Sequence, residues 1–342
     1  MSQRLLVIPD GLAEPWSGRG LPTTLASTRP MALDAICRRG AVRRVATTPE
    51  GLHPGSEAGL PLLLGWTPSG PVSRGRVDAA AHGLREPPGA VVHRVDVRHD
   101  DGRPWPELAE VAFRLLEGSV GEEALHVQRL HGHRMLVFGH TEPVLPHRRD
   151  LAEWGAHEGV AGADDPDDVP RLQLWPDGET PMPVLDEKTV VVCAPRSTMA
   201  GVARLMGAET VHPRGATGRP GTDVAAKARA ATALLRDGTP TVVVHVGSPD
   251  EAAHDHDPQA KRLELQKIDR DLLAPLAALA LDLGATVAVC PDHGTDPRTG
   301  KHSGDPVPAV VWGPGIPRSG PDRMTEESVA GEPVVAGAWD VG

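Results

Sequence analysis

Seven side chains that can bind metal ions lie in four short clusters of this 342-residue chain. They are three aspartates, three histidines and one serine: Asp10, Ser56, Asp250, His254, Asp292, His293 and His302. Phosphoryl transfer requires neutralisation of the charge on the phosphate oxygens and an activated nucleophile in line with the leaving oxygen. Two divalent cations about 3.5–4 Å apart supply both. The residue types therefore predict a two-metal centre for phosphoryl transfer.

Ser56 is the candidate nucleophile of this centre, because it follows Pro54 and Gly55 at the predicted start of a helix. There its hydroxyl would lie near the positive end of the helix dipole. Coordination to a cation would lower the pKa of the hydroxyl and make it nucleophilic. Mixed carboxylate and imidazole ligands suit Mn²⁺ or Zn²⁺ better than Mg²⁺. We expect two divalent cations, Mn²⁺ first, with Zn²⁺ or Co²⁺ as alternatives.

The elements that must position these residues are apolar runs typical of buried parallel strands. Asp10 ends the run RLLVIPD, Asp250 ends TVVVHVGSPD, and Asp292 with His293 ends ATVAVCPDH. A further strand, PVPAVVWGPG, is predicted just after His302. Ligands of α/β proteins bind at the carboxyl ends of such strands. The clusters are therefore expected at one edge of a sheet.

Helices are predicted between these strands. Residues 257–284 have leucines at helical spacing, with Asp257 able to cap the start and Gly284 able to end the helix. TMAGVARLMG and TDVAAKARAATALLRDG predict two more helices. Between about 84 and 186, alternating strands and a helix indicate an inserted domain with an antiparallel sheet. We predict an α/β domain, 1–83 and 187–342, with a mostly parallel central sheet flanked by helices, interrupted by a smaller α+β domain, 84–186.

Composition excludes several classes of function. The net charge of −11 argues against nonspecific nucleic-acid binding, which needs clustered basic residues. No segment approaches 18 apolar residues, so no membrane span is predicted. Three cysteines without paired spacing indicate reduced thiols, and we expect a cytoplasmic protein. The chain has no tyrosine and two phenylalanines, so its core must be aliphatic.

The clusters and their flanks resemble the archaeal-type phosphoglycerate mutases that are independent of 2,3-bisphosphoglycerate, metalloenzymes of the alkaline phosphatase superfamily. The resemblance rests on PGSEAGLPLLLGWTP, SRGRVDAAAHG, HGHR, SPDEAAHDHD and PDHGTDPRTGKHSGDPVP, and it covers nearly the whole chain. It implies an alkaline-phosphatase-like α/β domain with an inserted phosphotransferase-like cap. It also implies interconversion of 3- and 2-phosphoglycerate through phosphorylated Ser56, without 2,3-bisphosphoglycerate as a cofactor.

The same resemblance implies roles for individual residues. One cation would be bound by Asp250, His254 and His302. The other would be bound by Asp10, Ser56, Asp292 and His293. The small phosphorylated carboxylic acid that serves as substrate would be bound by Arg74, Arg76, His133 and Arg134. Guanidinium groups suit this task because their paired donors match the geometry of carboxylate and phosphate.

The sequence departs from the family pattern outside the predicted ligands. Val144 replaces a histidine of the inserted domain, Gly247 occupies a position that often carries Lys or Glu, and a linker lysine has no counterpart in TPMPVLDEK. Three alternatives therefore stay open. They are a paralogue with the same chemistry on another small substrate (homoserine or a phosphonate), a metal-dependent phosphomonoesterase, and a non-catalytic relative that binds metal or a partner. The sequence does not determine the oligomeric state.

Overall fold

The computed structural model describes residues 2–18, 20–119, 124–185 and 188–341. The chain divides into a larger unit, Met1–Pro71 with Pro181–Gly342, and a smaller unit, Val72–Thr180. The sequence placed the boundaries at 83/84 and 186/187, and the second of these lies outside the described residues. The first boundary differs because the helix Arg74–Ala81 contributes Ala79 to an apolar cluster with strand residues of the smaller unit.

Strands and helices are numbered along the chain. The strands are β1 (Arg4–Pro9), β2 (Ala41–Val45), β3 (Val91–Arg98), β4 (Ala124–Arg129), β5 (Arg134–Gly139), β6 (Arg171–Trp175), β7 (Thr189–Val192), β8 (Glu209–Val211), β9 (Thr241–Val246), β10 (Thr286–Val289), β11 (Gly294–Asp296), β12 (Lys301–Ser303), β13 (Val307–Trp312) and β14 (Val334–Val335). The α-helices are α1 (Thr24–Ser27), α2 (Met31–Cys37), α3 (Ser56–Leu63), α4 (Arg74–Ala81), α5 (Ala109–Ser119), α6 (Arg148–His157), α7 (Thr198–Leu205), α8 (Val224–Arg236), α9 (Ser248–His254), α10 (Pro258–Lys267) and α11 (Ala274–Leu283).

The larger unit is built on a mixed eight-stranded sheet with the order β14-β2-β13-β10-β1-β9-β7-β8. The five strands from β10 to β8 in this order run parallel. Strand β13 runs antiparallel to both β10 and β2. Almost every residue of β1 and β9 is buried, which shows that both faces of the sheet are covered. The predicted α/β fold with a mostly parallel central sheet is confirmed.

The predicted helix over 257–284 has the expected ends and an interruption that the sequence did not reveal. The Asp257 carboxylate accepts a hydrogen bond at the start of α10, and Gly284 ends α11 in the left-handed conformation. Between them, Ile268–Leu273 forms a π-helix. Asp269 in this π-helix accepts hydrogen bonds of 3.2 and 2.8 Å from two backbone N–H groups at the start of α2. The π-helix thus places the Asp269 carboxylate where it caps the start of α2, although the two segments are far apart in the sequence.

The smaller unit is a four-stranded antiparallel sheet with the order β4-β5-β3-β6 and three α-helices among its described residues. Val95 and Val97 of β3 face the core that contains α5 and α6, whereas Val92 packs on the side of α4. Gly75 in α4 lies against β3, because a Cβ there would collide with the Val92 carbonyl. The edge strand β6 was not anticipated, since all of its residues are only half-buried. The predicted α+β insertion is confirmed.

The core of the larger unit is mainly valine, leucine, isoleucine and alanine, as the scarcity of aromatic residues predicts. Cys37, Cys193 and Cys290 are free and buried. Burial raises the pKa of Cys37 to about 12 and that of Cys193 to about 11. Over the residues that the structure describes, no helix has the length and apolar character needed to span a membrane.

Candidate metal centre

Three adjacent parallel strands bring the aspartates together. Asp10 follows β1, Asp250 lies in the first turn of α9 directly after β9, and Asp292 follows β10. Because β9, β1 and β10 are parallel neighbours, their carboxyl ends meet at one edge of the sheet. Ser56 is the first residue of α3, as predicted. Gly59 in that helix lets α3 approach closely, because a Cβ there would collide with the Asp292 carbonyl.

A first group of donor atoms is formed by Asp250, His254 and His302. The His254 Nε2 lies 3.2 Å from Asp250 Oδ2 and 3.0 Å from His302 Nε2, and all three residues offer atoms within 4.8 Å of one another. The His302 Nδ1 is 3.0 Å from the Pro54 carbonyl, which can only accept, so this nitrogen carries a proton. In the neutral ring, Nε2 is then free of a proton and faces the group.

A second group is formed by Asp10, Ser56, Asp292 and His293. The Ser56 Oγ lies 3.3 Å from Asp10 Oδ1 and 3.2 Å from His293 Nε2, which is itself 3.3 Å from Asp10 Oδ1. The Asp292 Oδ2 is 3.6 Å from the same His293 nitrogen. Asp250 also offers an oxygen within 4.8 Å of atoms of Asp10 and His293. The two groups are therefore adjacent, with Asp250 next to both.

Burial makes a negative charge on Asp292 unfavourable unless a nearby positive charge compensates it. Asp292 is fully buried, and its Oδ2 lacks a hydrogen-bond partner among the described residues. Burial and the charge of Asp10 raise the Asp292 pKa to about 7. Burial also acts to raise the pKa of Asp10, but the neighbouring His245 and His293 outweigh it and hold that pKa well below its usual range. An unpartnered buried carboxylate oxygen among imidazole nitrogens is a donor set that fits a divalent cation.

Two further residues contact these groups and were missed by the sequence reasoning. The buried His245 places Nε2 3.1 Å from Asp10 Oδ2, and Thr295 donates a 2.6 Å hydrogen bond to Asp250 Oδ1. His245 and Asp292 also offer atoms within 4.8 Å of Asp10. The one signal for His245 was a histidine inside the apolar run TVVVHV. Thr295 carried no signal, because its role depends on contacts distant in sequence.

The predicted substrate-binding residues all lie in the smaller unit. The Arg74 guanidinium stacks over the Trp175 ring, 3.9 Å from its centroid. The His133 Nε2 lies 3.6 Å from an oxygen of the buried Asp96. Arg134 begins β5 and is exposed.

Arg76 is held by neighbouring residues within the smaller unit. Its guanidinium bonds to Glu86 at 2.8 Å, to Asp177 at 3.2 Å and to the Ala90 carbonyl at 3.2 Å. Binding of a substrate by Arg76 would therefore compete with three existing interactions.

Comparison with known families identifies the class of this chain. The chain belongs to the Metalloenzyme superfamily, whose family model matches residues 2–331. It is a divalent-metal protein of that superfamily.

Particular relatives carry a more specific name. The chain is 28% identical to the 2,3-bisphosphoglycerate-independent phosphoglycerate mutase 1 of Archaeoglobus fulgidus, over 90% of this chain and 88% of the relative. It is also 28% identical to the enzyme of that name from Methanosarcina barkeri, over 90% and 89% of the two chains. The resemblance inferred from the motifs is thus confirmed.

Solved structures share the fold. A protein from Pyrococcus horikoshii superposes with a TM-score of 0.77 at 22% identity, covering 99% of this chain and 95% of that one. The cofactor-independent phosphoglycerate mutase of Thermoplasma acidophilum superposes with a TM-score of 0.57 at 19% identity, covering 99% and 97%. At these identities the structures support the fold alone.

Proposed function

We propose that the chain is a 2,3-bisphosphoglycerate-independent phosphoglycerate mutase, which interconverts 3- and 2-phosphoglycerate, a step of glycolysis, through phosphorylated Ser56. The observation that carries the proposal is the position of the Ser56 Oγ, 3.3 Å from Asp10 Oδ1 and 3.2 Å from His293 Nε2. A serine hydroxyl among predicted metal ligands at a helix start supports attack of Ser56 on phosphorus. The names of relatives similar over nine-tenths of the chain support the same reaction.

Two ligand sets follow from the two groups of donor atoms. We propose Asp250, His254 and His302 as the first set. We propose Asp10, Ser56, Asp292 and His293 as the second. Bound divalent cations would neutralise the phosphate oxygens and lower the pKa of the serine hydroxyl. The mixed oxygen and nitrogen donors favour Mn²⁺, with Zn²⁺ or Co²⁺ as alternatives.

Ser56 would carry the phosphate between the two hydroxyl groups of glycerate. In the first transfer, a bond forms between Ser56 Oγ and phosphorus, the bond from phosphorus to O3 breaks, and the proton lost by the serine ends on O3. In the second transfer, O2 attacks the phosphorus of phosphorylated Ser56. The bond to Oγ then breaks, and the serine regains the proton that O2 loses. The hydrogen bond from Ser56 to Asp10 Oδ1 orients the serine hydroxyl before the first step.

We propose that Arg74, His133 and Arg134 bind the carboxylate and phosphate of the substrate, with guanidinium groups as the paired donors. Arg76 belongs to the same predicted set, and its binding of substrate would compete with Glu86 and Asp177. The cytoplasmic location stays a prediction.

The proposal is tested by ³¹P NMR of the Mn²⁺-loaded protein with 3-phosphoglycerate. A 2-phosphoglycerate resonance with little inorganic phosphate is the expected result. Inorganic phosphate alone would replace the proposal with a phosphomonoesterase. No change, in protein shown to contain metal, would replace it with a paralogue that acts on another phosphorylated or phosphonylated acid.

The role of Ser56 needs its own variant. Ser56→Ala should abolish turnover and should leave no acid-stable phosphate on the protein, because no oxygen is left to accept phosphorus. Ser27→Ala is the matched control, since its hydroxyl bonds to the Thr24 carbonyl in α1. Turnover by Ser56→Ala at a substantial fraction of the Ser27→Ala rate would refute the phosphoserine mechanism.

A further inference from the structure

One buried hydroxyl contacts both predicted ligand sets. The Thr295 Oγ1 donates to Asp250 Oδ1 at 2.6 Å and lies 3.2 Å from His293 Nδ1. Asp250 belongs to the first set and His293 to the second. Thr295 is fully buried, so water does not compete for these contacts.

The direction of each hydrogen bond follows from the number of protons. A hydroxyl has one proton, and Thr295 gives it to the Asp250 carboxylate. Toward His293 the hydroxyl can therefore only accept. The second neighbour of His293 Nδ1, the Gly294 carbonyl at 3.3 Å, is also an acceptor. His293 Nδ1 must then carry a proton. In the neutral ring this leaves Nε2 with its lone pair toward Asp10 and Ser56.

The surrounding chain holds Thr295 firmly in this position. Its backbone N–H donates to the Ala13 carbonyl at 2.8 Å, and its carbonyl accepts from the buried Lys261 Nζ at 2.6 Å. Gly11 covers the hydroxyl, because a Cβ at Gly11 would lie 2.6 Å from Thr295 Oγ1 and would collide with Asp250 Oδ1. The hydroxyl therefore has little room to rotate away from its two partners.

Thr295 is also paired with the strand that carries a third ligand. In the hairpin of β11 and β12, Thr295 lies directly opposite His302. Residues directly opposite each other in an antiparallel pair project from the same face. A shift of Thr295 would therefore displace His302 of the first set as well as His293 of the second.

We propose that Thr295 is a positioning residue that couples the two halves of the metal centre. The chain of hydrogen bonds from His293 Nδ1–H to Thr295 Oγ1–H to Asp250 Oδ1 orients one ligand of each set at once. With a cation bound, Asp250 would hold the Thr295 hydroxyl in place, and that hydroxyl would present His293 in the tautomer that can bind the second cation. The inference rests on the proposed two-metal function and adds that the two ions bind with positive cooperativity.

The test is titration of the metal-free protein with Mn²⁺, followed by the electron paramagnetic resonance signal of free Mn²⁺. Thr295→Val removes the hydroxyl and keeps the branched shape, and Thr295→Ser keeps the hydroxyl. Thr299→Val is the matched control, because it removes an exposed hydroxyl from the turn of the same hairpin. We expect Thr295→Val to weaken Mn²⁺ binding about 10–100-fold and to abolish cooperativity. Thr295→Ser and Thr299→Val should bind within about threefold of the unmodified protein.

The outcomes separate this inference from the proposed function. Unmodified protein that binds fewer than two Mn²⁺ ions would count against the proposed function itself. Two ions bound by Thr295→Val with unchanged affinity and cooperativity would overturn the role of Thr295 alone. Equal losses of Mn²⁺ affinity in Thr295→Val and Thr295→Ser would also overturn it, because Thr295→Ser keeps the hydroxyl and the loss would then have another cause. If Thr295→Val does not fold, as judged by circular dichroism of the metal-free protein, Thr295→Ala takes its place with the same expectations.

Discussion

Glu326→Gln is expected to stabilise the larger unit at pH 8 far more than at pH 5. Glu326 is buried, accepts the Glu14 backbone N–H at 2.9 Å and accepts the Thr23 hydroxyl at 2.5 Å. Burial is the main cause that raises its pKa from 4.5 to about 7, and the nearby charge of Glu14 acts in the same direction. The folded protein therefore accommodates the protonated side chain better than the ionised one.

The sign and the size follow from the two pKa values. Because the pKa is higher in the folded state, the contribution of Glu326 to stability is full below about pH 4.5 and is lost as the pH rises through 7. A rise from 4.5 to about 7, at 1.36 kcal/mol per unit, corresponds to about 3 kcal/mol in total. Most of this loss, about 2.5 kcal/mol, falls between pH 5 and pH 8. Glutamine does not ionise, so the variant does not lose this unfolding free energy as the pH rises.

The assay is urea unfolding of the chelator-treated protein at pH 5 and pH 8, followed by far-UV circular dichroism. The amide introduced by Glu326→Gln changes the hydrogen bonds of this side chain at both pH values. The quantity to compare is therefore the change in unfolding free energy caused by the substitution at pH 8 minus the change at pH 5. Glu14→Gln is the contrasting variant, because Glu14 lies 3.3 Å from the ammonium of the buried Lys261. Removal of the Glu14 charge leaves the buried Lys261 ammonium without this partner and should destabilise the protein. An equal effect of Glu326→Gln at both pH values would refute the reasoning.

Three further changes probe the fold and the site. Asp269→Ala removes the acceptor at the start of α2 and should cost about 1 kcal/mol in urea unfolding; no loss would mean that water caps the helix equally well. In the smaller unit, burial acts to raise the Asp96 pKa, but a histidine hydrogen bond and the charge of Arg94 hold it well below its usual range. This contribution is present above about pH 4 and lost in acid, so Asp96→Asn should cost about 1.5–3 kcal/mol at pH 7 and progressively less toward pH 3. Gly59→Ala should push α3 away from the Asp292 carbonyl and lower Mn²⁺ affinity in a titration, and unchanged affinity would show that the helix can shift without moving the ligands.

Features of the fold that depend on neighbouring residues could be predicted from the sequence. Apolar runs predicted the strands β1, β9 and β10, because a strand buried on both faces needs little but aliphatic side chains. Asp257 and Gly284 marked the ends of a long helical segment, because capping is local chemistry. The types of the candidate ligands predicted the chemistry, and their place after parallel strands predicted that Asp10, Asp250 and Asp292 would meet.

Features that depend on partners distant in the sequence could be identified only in the folded chain. Thr295 and His245 contact the candidate ligands through packing between segments far apart in the chain, and no local pattern shows which residues they contact. The π-helix places Asp269 at α2 for the same reason, since its partner lies 236 residues away. The engagement of Arg76 by Asp177 likewise became visible only in three dimensions. A residue's type and spacing limit what it can do, but the partners that bury it, orient it or occupy its donors are set by how the whole chain packs.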